Sequence, residues 1–238
     1  HVYTVREMAA TLTAVTATAQ AKIDPLGIAI VGNETAQAQV TATSTVFDQY
    51  LKQLTGGKPS FSDSMADAGD DNWQSVSSQQ LGCAFVGGAY HVTIRDPKIF
   101  AFCFDKAANF TDFVLQTQLD VTTDGVIGGV NFRFDPAKGN GYSFILSSNG
   151  SYWIDLYSHY DVSSVLVSGS GVPLLKGKSN KLAIIAQGKE FDFYVNGMHI
   201  AHVRDKSYMS GEIGLLAGIA GLRVSADVAY SNVQIWGL

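Results

Sequence analysis

The sequence predicts an all-β sandwich preceded by an α-helical extension. Between Phe110 and Tyr157, apolar and polar side chains alternate almost without interruption through three or four consecutive strands. A period of two is typical of a strand with one buried face. Further short segments rich in β-forming residues continue to the C-terminus, separated by turn residues. This arrangement indicates two stacked sheets, as in a sandwich or a jelly roll.

The central strands show the alternation most clearly. In the first of them Val114 is the exception, because it is apolar but falls on the polar face. A sheet with one apolar face needs a second layer over that face, which the later strands can provide. The positions of the mostly apolar face are Phe113, Leu115, Thr117, Leu119 and Val121, then Val130, Phe132 and Phe134, then Tyr142, Phe144 and Leu146, and finally Tyr152, Ile154 and Leu156.

The N-terminal part differs in composition and predicts two helices. Residues 5–22 are rich in Ala and Thr with apolar side chains at helical spacing, and residues 34–54 carry a stronger apolar stripe that Gly56-Gly57 ends. We therefore predict a helical stem or linker over residues 1–57 and the sandwich over residues 58–238. Two arrangements remain open: a spacer, or a helical hairpin that packs on the sandwich and buries Phe47 and Tyr50.

The strongest turn signal is Asn196-Gly197, which lies between two alternating segments. This dipeptide favours a two-residue type I′ turn, because both positions tolerate a positive φ. We expect a hairpin there, formed by strands near residues 191–195 and 198–203.

Composition excludes several functions. The 238-residue chain has a net charge of −5, only 16% charged residues and no Lys/Arg cluster. Nucleic acid and anionic membrane surfaces are therefore poor partners. No apolar run approaches 18 residues, and the chain begins at His1. We expect any targeting or membrane segment to lie upstream; the oligomeric state stays open.

The two cysteines, Cys83 and Cys103, each lie beside a strand-like segment, with no CxxC or Cys/His spacing typical of a metal site. A disulfide between them is the better interpretation. It would close a loop of about 20 residues, contribute about 3 kcal/mol and place the domain outside the cytoplasm. The alternative is a pair of buried free thiols.

The segments FTDFVLQTQLDV, NKLAIIAQGKEFDFYVNGMHIAHVRD, GEIGLLAG and VAYSNVQIW follow one another in a recognisable order. Over roughly residues 60–238 the chain resembles the concanavalin A-like (laminin-G-like) jelly-roll domains of lectins and glucanases. With LGCAFVGGAYHV, it looks like extracytoplasmic C-terminal domains of bacterial membrane-anchored proteins, some of which carry a cytoplasmic Ser/Thr kinase. It is more distantly similar to the 3-keto-disaccharide hydrolase domain.

This resemblance implies a fold more firmly than a function, since lectins, glucanases and passive modules share it. The E-x-D-x-x-E strand of the glucanases is absent, and Asp155 and Asp192 each stand alone between aromatic residues. Retaining glucanase chemistry needs two carboxyl groups about 5 Å apart, so we do not expect it. A hydrolase acting on a 3-keto-glycoside is the enzymatic alternative, with Asp155, Asp192 or Glu190 as its acids.

One set of outward-facing residues predicts a glycan-binding groove. Aromatic rings stack on the apolar faces of sugars, while planar donors and acceptors fix the hydroxyl groups. The alternative is an ordinary solvated sheet, or a face that the N-terminal helices cover. The five candidate residues are Asn131, Arg133, Trp153, Asp155 and Tyr157.

Two further clusters contain residue types that bind metal ions. Asp63, Asp67, Asp70 and Asp71 crowd one loop with oxygens suited to Ca²⁺, although such clusters also form plain turns. His199 and His202 are three residues apart on a predicted strand, which places them on opposite faces and argues against a metal there.

These observations predict an extracytoplasmic recognition module without catalytic activity, which binds a polysaccharide of a cell wall or of the environment. The resemblance to domains of membrane-anchored bacterial proteins implies that it would serve as the sensor part of such a protein. A structural or adhesion domain is the third alternative.

Overall fold

The computed structural model describes residues 45–69, 72–121, 123–175, 177–221 and 225–238. Within them the chain forms one helix and fifteen strands. The predicted helix at 5–22, residues 34–44 of the second predicted helix, and Asp70 and Asp71 lie outside the described residues. None of the described helical structure is long and apolar enough to cross a membrane.

The strands form two antiparallel sheets, as the alternation predicts. The nine-stranded sheet runs β13 (Met198–Arg204), β12 (Glu190–Val195), β11 (Asn180–Gln187), β6 (Phe113–Leu119), β15 (Ala226–Gly237), β4 (Ala89–Ile94), β3 (Leu81–Val86) and β2 (Val76–Ser77), with β1 (Phe61–Asp63) paired to β15.

The six-stranded sheet carries the candidate site. Its order is β10 (Val162–Gly169), β9 (Tyr152–His159), β8 (Asn140–Ser147), β7 (Val126–Asp135), β14 (Gly211–Ile219) and β5 (Ala101–Phe110).

The core lies between the two sheets and contains the inward residues of both. Leu115 and Leu119 of β6 meet Phe132 of β7 and Phe144 of β8 in one buried cluster. The consecutive central strands do not all share a sheet, because β6 belongs to the nine-stranded sheet and β7, β8 and β9 to the other. Each sheet thereby covers the apolar face of the other, which confirms the predicted sandwich.

The predicted disulfide is confirmed. Cys83 of β3 and Cys103 of β5 are bonded, with Cα atoms 6.1 Å apart, and both side chains are fully buried in the core. Since β3 and β5 belong to different sheets, the bond joins the two layers of the sandwich.

Residues 45–55 form helix α1, which packs on the outer face of the nine-stranded sheet. Phe47 stacks on Tyr194 with ring centroids 4.3 Å apart, and Asp48 pairs with Lys181 at 2.9 Å. Residues 45–55 therefore pack on the sandwich and do not form a free spacer. The outer face of the six-stranded sheet is not the one that α1 covers.

The Asn196-Gly197 turn is present as predicted. Its φ angles are 50° and 80°, and Val195 pairs with Met198 across it. The Asn196 side chain accepts a hydrogen bond from the Lys181 amide at 2.9 Å and donates one to Asn180 Oδ1 at 2.9 Å. These bonds fix the hairpin to the neighbouring strand.

Candidate ligand-binding site

The outer face of the six-stranded sheet is strongly concave. The ring centroids of Phe102 on β5 and Tyr157 on β9 are only 5.7 Å apart, although three strands separate β5 from β9. In a flat sheet four strand spacings would place these strands about 19 Å apart. Curvature therefore brings the two sides of the sheet together over its middle strands.

Glycines on β14 make room for the aromatic rings on this face. A Cβ atom on Gly214 would lie 2.6 Å from the Phe104 ring, and one on Gly218 would clash with the Phe100 ring. Any larger residue at either position would push these rings out of the concave face.

A cleft of about 690 Å³ opens on the concave face. We call it the aromatic cleft. Lys98, Asp161 and Ser163 add polar groups to its lining. Tyr160 is 38% exposed, so its ring is available to a ligand. The aromatic residues of the lining are Phe100, Phe102, Phe104, Tyr157 and Tyr160.

Three polar side chains cross the middle of the same face in one register. Asn131 on β7 pairs with Ser143 on β8, and Ser143 pairs with Asp155 on β9. Ser143 Oγ donates to Asn131 Oδ1 at 2.5 Å. Asn131 and Ser143 are fully buried and Asp155 is 5% exposed. We call these residues the polar row.

The polar row leaves two atoms without partners. Among the described residues, neither Asn131 Nδ2 nor Asp155 Oδ1 has a hydrogen-bond partner. Buried polar atoms are normally paired, so two orphans in one row on a concave face are informative. Burial raises the pKa of Asp155 to about 6. Burial, with the nearby Asp155 carboxylate, also raises the pKa of Tyr157 to about 12.

Trp153 also lies on this face, two residues before Asp155 along β9. It is partly buried and packs with Phe100 and Phe102 around Ile145 and Leu216. Its ring thus supports the aromatic cleft at one side.

The expected placement of Arg133 on this face is wrong. Arg133 has a φ of 46°, and the pairing of β7 shifts register here with both of its neighbours. This irregularity turns the guanidinium away from the concave face, where it is fully buried and 5.0 Å from the centre of the Phe191 ring. It also reverses Phe134, which packs with Phe104 and Tyr157 on the outer face instead of joining the core.

The acidic loop holds no group of His, Cys, Asp and Glu suited to a metal among the residues that the structure describes. Asp63 accepts hydrogen bonds from the Met65 amide at 2.6 Å and from Trp73 Nε1 at 2.9 Å. Asp67 accepts one from the Gly69 amide at 3.1 Å. The two amide bonds, each from the residue two positions further on, are those of turns. Asp70 and Asp71 lie outside the described residues.

The expected separation of His199 and His202 is also wrong. A register shift in the β12–β13 pairing lets both rings contact Asp192 Oδ1, at 2.8 and 3.0 Å. Burial by itself would raise the pKa of Asp192, but the bonds from the two histidines outweigh it and lower the pKa. His202 also contacts Glu190 at 3.1 Å.

Of the three acids predicted for a hydrolase, Asp155 lies apart from the other two. Asp192 alternates with the core residues Phe191 and Phe193 and lies with Glu190 on the outer face of the nine-stranded sheet. Asp155 lies on the outer face of the other sheet. Since the core separates these faces, Asp155 cannot act with Asp192 or Glu190 on one glycosidic bond.

Sequence reasoning missed Phe100, Phe102, Phe104 and Tyr160. The signal was present, because three phenylalanines alternate with Ala101 and Cys103, which point into the core. Because a disulfide cysteine is normally buried, the phenylalanines that alternate with Cys103 should lie on the outer face of the sheet.

No family model matches the sequence, and no curated protein matches it. Solved structures do. A carbohydrate-binding module of Bacillus subtilis, CBM66, aligns with a TM-score of 0.58 at 19% identity, over 70% of this chain and 96% of that one. A Bacillus subtilis protein of unknown function with a galectin-like fold aligns at 0.56 and 14%, over 76% and 96%. A β-glucanase of Bacillus licheniformis aligns at 0.56 and 10%, over 76% and 99%.

These likenesses establish the fold. The chain has a concanavalin A-like jelly-roll sandwich, as the resemblance of its C-terminal segments predicts.

Proposed function

We propose that the chain is a carbohydrate-binding module and that the aromatic cleft receives the glycan. The observation that carries this proposal is the lining of the cleft, which combines the exposed ring of Tyr160 and the partly exposed rings of Phe100 and Phe102 with polar side chains. Sugars need both features, because their C–H faces stack on rings while their hydroxyl groups require donors and acceptors.

Shape and lining support a glycan as the ligand. A cleft of about 690 Å³ lies within the usual size range of ligand sites. Phe102, Phe104 and Tyr157 belong to strands of the sheet, and Tyr160 lies in the turn between β9 and β10. Lys98, Asp161 and Ser163 offer charged and hydroxyl groups around these rings. Two of the similar structures are, by their names, a carbohydrate-binding module and a β-glucanase, which agrees with this proposal.

The proposed setting is outside the cytoplasm. The Cys83–Cys103 disulfide favours an oxidising compartment, where such bonds persist. Cell-wall or environmental polysaccharides would be encountered there. The role of a sensor in a membrane-anchored protein, which the family resemblance implies, stays a prediction, as does the domain boundary after residue 57.

Truncating an aromatic wall should weaken glycan binding. Tyr160→Ala removes an exposed ring of the cleft, and loss of an aromatic anchor typically costs about 2 kcal/mol, or about thirty-fold in affinity. Binding is measured by isothermal titration calorimetry and affinity electrophoresis against the neutral polysaccharides β-glucan, mannan, xylan and fructan, and against one acidic and one amino polysaccharide.

Met209→Ala is the matched control, because Met209 is a 44% exposed apolar side chain outside the cleft lining. It should leave binding unchanged. Equal binding by the wild type and Tyr160→Ala would remove the cleft from the mechanism. Failure of the wild type to bind any neutral, acidic or amino polysaccharide would refute the proposed function.

A further inference from the structure

Three aromatic rings follow one another along the aromatic cleft. Phe100, Phe102 and Tyr160 all line it, and each is at least partly exposed. The ring centroids of Phe100 and Phe102 are 6.2 Å apart, with an angle of 14° between the ring planes. Those of Phe102 and Tyr160 are 5.8 Å apart, with an angle of 28°. Among the described residues Phe100 and Tyr160 form no ring contact with each other, so Phe102 is the middle ring. We call these three residues the ring row.

The three rings present their faces separately. Carbon atoms in contact lie about 3.5 to 4.0 Å apart, so near-parallel rings with centres about 6 Å apart are displaced sideways and cover little of each other. The rings of Phe47 and Tyr194 beneath α1, which do overlap, have centroids only 4.3 Å apart. Each ring of the row can therefore contact a different part of a ligand.

Both ends of the ring row are held in place without a ligand. Gly218 lies beside Phe100, where a Cβ atom would clash with the ring. Tyr160 Oη donates to the Pro136 carbonyl at 2.8 Å. A Cβ atom on Gly139, which has a φ of 69°, would lie 2.5 Å from the Tyr160 ring. Rings that are already fixed lose little conformational entropy when a ligand binds, which favours affinity.

The spacing of the ring row suits a polymer of sugars. A sugar ring stacks through its C–H face on one aromatic ring. Consecutive sugar rings in a chain are joined through a single oxygen atom and repeat at a distance similar to that between the rings of the row. A monosaccharide can use only one of the three rings, whereas an extended chain can use all of them.

Charged side chains lie next to each end of the row in the sequence. Lys98 is two residues before Phe100, and Asp161 directly follows Tyr160. Both side chains are exposed and line the cleft. A chain that continues past the rings would therefore meet solvated polar groups, which can bind its hydroxyl groups, and not a buried apolar wall.

We propose that the ring row binds an interior stretch of three consecutive sugars in an extended polysaccharide, with one sugar on each ring. This inference rests on the proposed function and names its ligand class. The ligand is the interior of a glycan chain, and a single sugar or a chain end is not sufficient.

The first test is the dependence of affinity on chain length. Isothermal titration calorimetry compares the di-, tri- and hexasaccharide of the panel polysaccharide that the wild type binds best. Affinity should rise about ten-fold or more from the disaccharide to the trisaccharide, as expected for one further aromatic contact, and change little from there to the hexasaccharide. A disaccharide that binds as tightly as the polysaccharide overturns the inference, while glycan binding stands.

Phe100→Ala shortens the row to two rings. The ratio of trisaccharide to disaccharide affinity should fall from about ten-fold or more to near equality. A loss of folded protein lowers both affinities alike and leaves the ratio unchanged, so the ratio separates binding from folding. Phe110→Ala is the matched control, because Phe110 is a partly exposed phenylalanine at the other end of β5 and outside the cleft lining. It should keep the ratio of the wild type.

A ratio in Phe100→Ala equal to that of the wild type contradicts the inference. Should Phe100→Ala not fold, Tyr160→Ala removes the more exposed ring at the other end of the row and must lower the same ratio. An unchanged ratio in Tyr160→Ala then has the same meaning.

The second test is the number of protein molecules bound per polysaccharide chain. Titration of fractions of the same polysaccharide with increasing chain length should give a number that grows with length, because every interior stretch is a site. A number that stays constant with length shows recognition of chain ends and refutes the inference, but not the proposed function. If the wild type binds no polysaccharide of the panel, the proposed function and this inference fail together.

Discussion

Arg133→Ala is expected to lower the free energy of unfolding by about 3 to 5 kcal/mol, the cost of removing one partner from a buried, hydrogen-bonded charge network. The guanidinium donates to the Thr111 carbonyl at 2.5 and 2.9 Å and to the Gly188 carbonyl at 2.6 Å. It also donates to the Tyr208 carbonyl at 3.3 Å and pairs with Asp112 at 3.1 Å. One side chain thus connects three loops at the end of the sandwich.

The loss should come from several sources at once. Without Arg133, three backbone carbonyls lose their donor and a cavity opens beside Phe191. Arg133→Lys should recover part of the loss only, because an ammonium group cannot reproduce the planar set of donors.

Urea unfolding, followed by tryptophan fluorescence, measures this prediction. Arg204→Ala is the matched control, because the Arg204 side chain is 64% exposed and forms an ion pair with Glu190 at the surface. Its loss should change the free energy of unfolding by less than about 0.5 kcal/mol. Similar midpoints for Arg133→Ala and Arg204→Ala would contradict the structural role of Arg133.

Removal of the disulfide should have the second-largest effect. A closed loop of this length contributes about 3 kcal/mol in the chain-entropy model, so the double variant Cys83→Ala with Cys103→Ala should unfold at a correspondingly lower urea concentration. Alanine is chosen over serine because both positions are fully buried and a hydroxyl would add an unpaired polar group.

Reducing the disulfide in the wild-type protein tests the same effect without a mutation. Dithiothreitol should shift the unfolding midpoint of the wild type toward that of the double variant and leave the variant itself unchanged. If the oxidised wild type and the variant unfold together, the bond does not stabilise the native state relative to the unfolded one.

The sequence predicts the strands well where a single alternating pattern sets the face. The strands predicted near 191–195 and 198–203, the Asn196-Gly197 turn between them and the Cys83–Cys103 bond all follow from local chemistry or simple spacing. Each depends on residues close in the chain, or on a pairing with few alternatives.

The pattern fails where the backbone departs from regular pairing. The register shift at Arg133 adds a residue to β7, so the period of two predicts the wrong face for both Arg133 and Phe134. The shift in the β12–β13 pairing brings His199 and His202 to one carboxylate for the same reason. An irregularity of this kind has no marker when a non-glycine residue adopts the positive φ.

The candidate site was partly predictable for a different reason. Asn131, Trp153, Asp155 and Tyr157 were expected on one face, and the structure places them there. The opposite wall was not expected, because Phe102 meets Tyr157 only through the curvature of a six-stranded sheet. Curvature is a property of the whole sheet, and no local pattern encodes it.

Strand β5 carries both a cysteine of the disulfide and two phenylalanines of the aromatic cleft, so the redox state of the disulfide bears on the cleft. Cys103 anchors the strand to the opposite layer, while its neighbours Phe102 and Phe104 project the other way and form one side of the aromatic cleft. Opening the disulfide would therefore loosen the strand on which the proposed glycan site depends. Reducing conditions should therefore act first on the wall of the aromatic cleft that β5 forms.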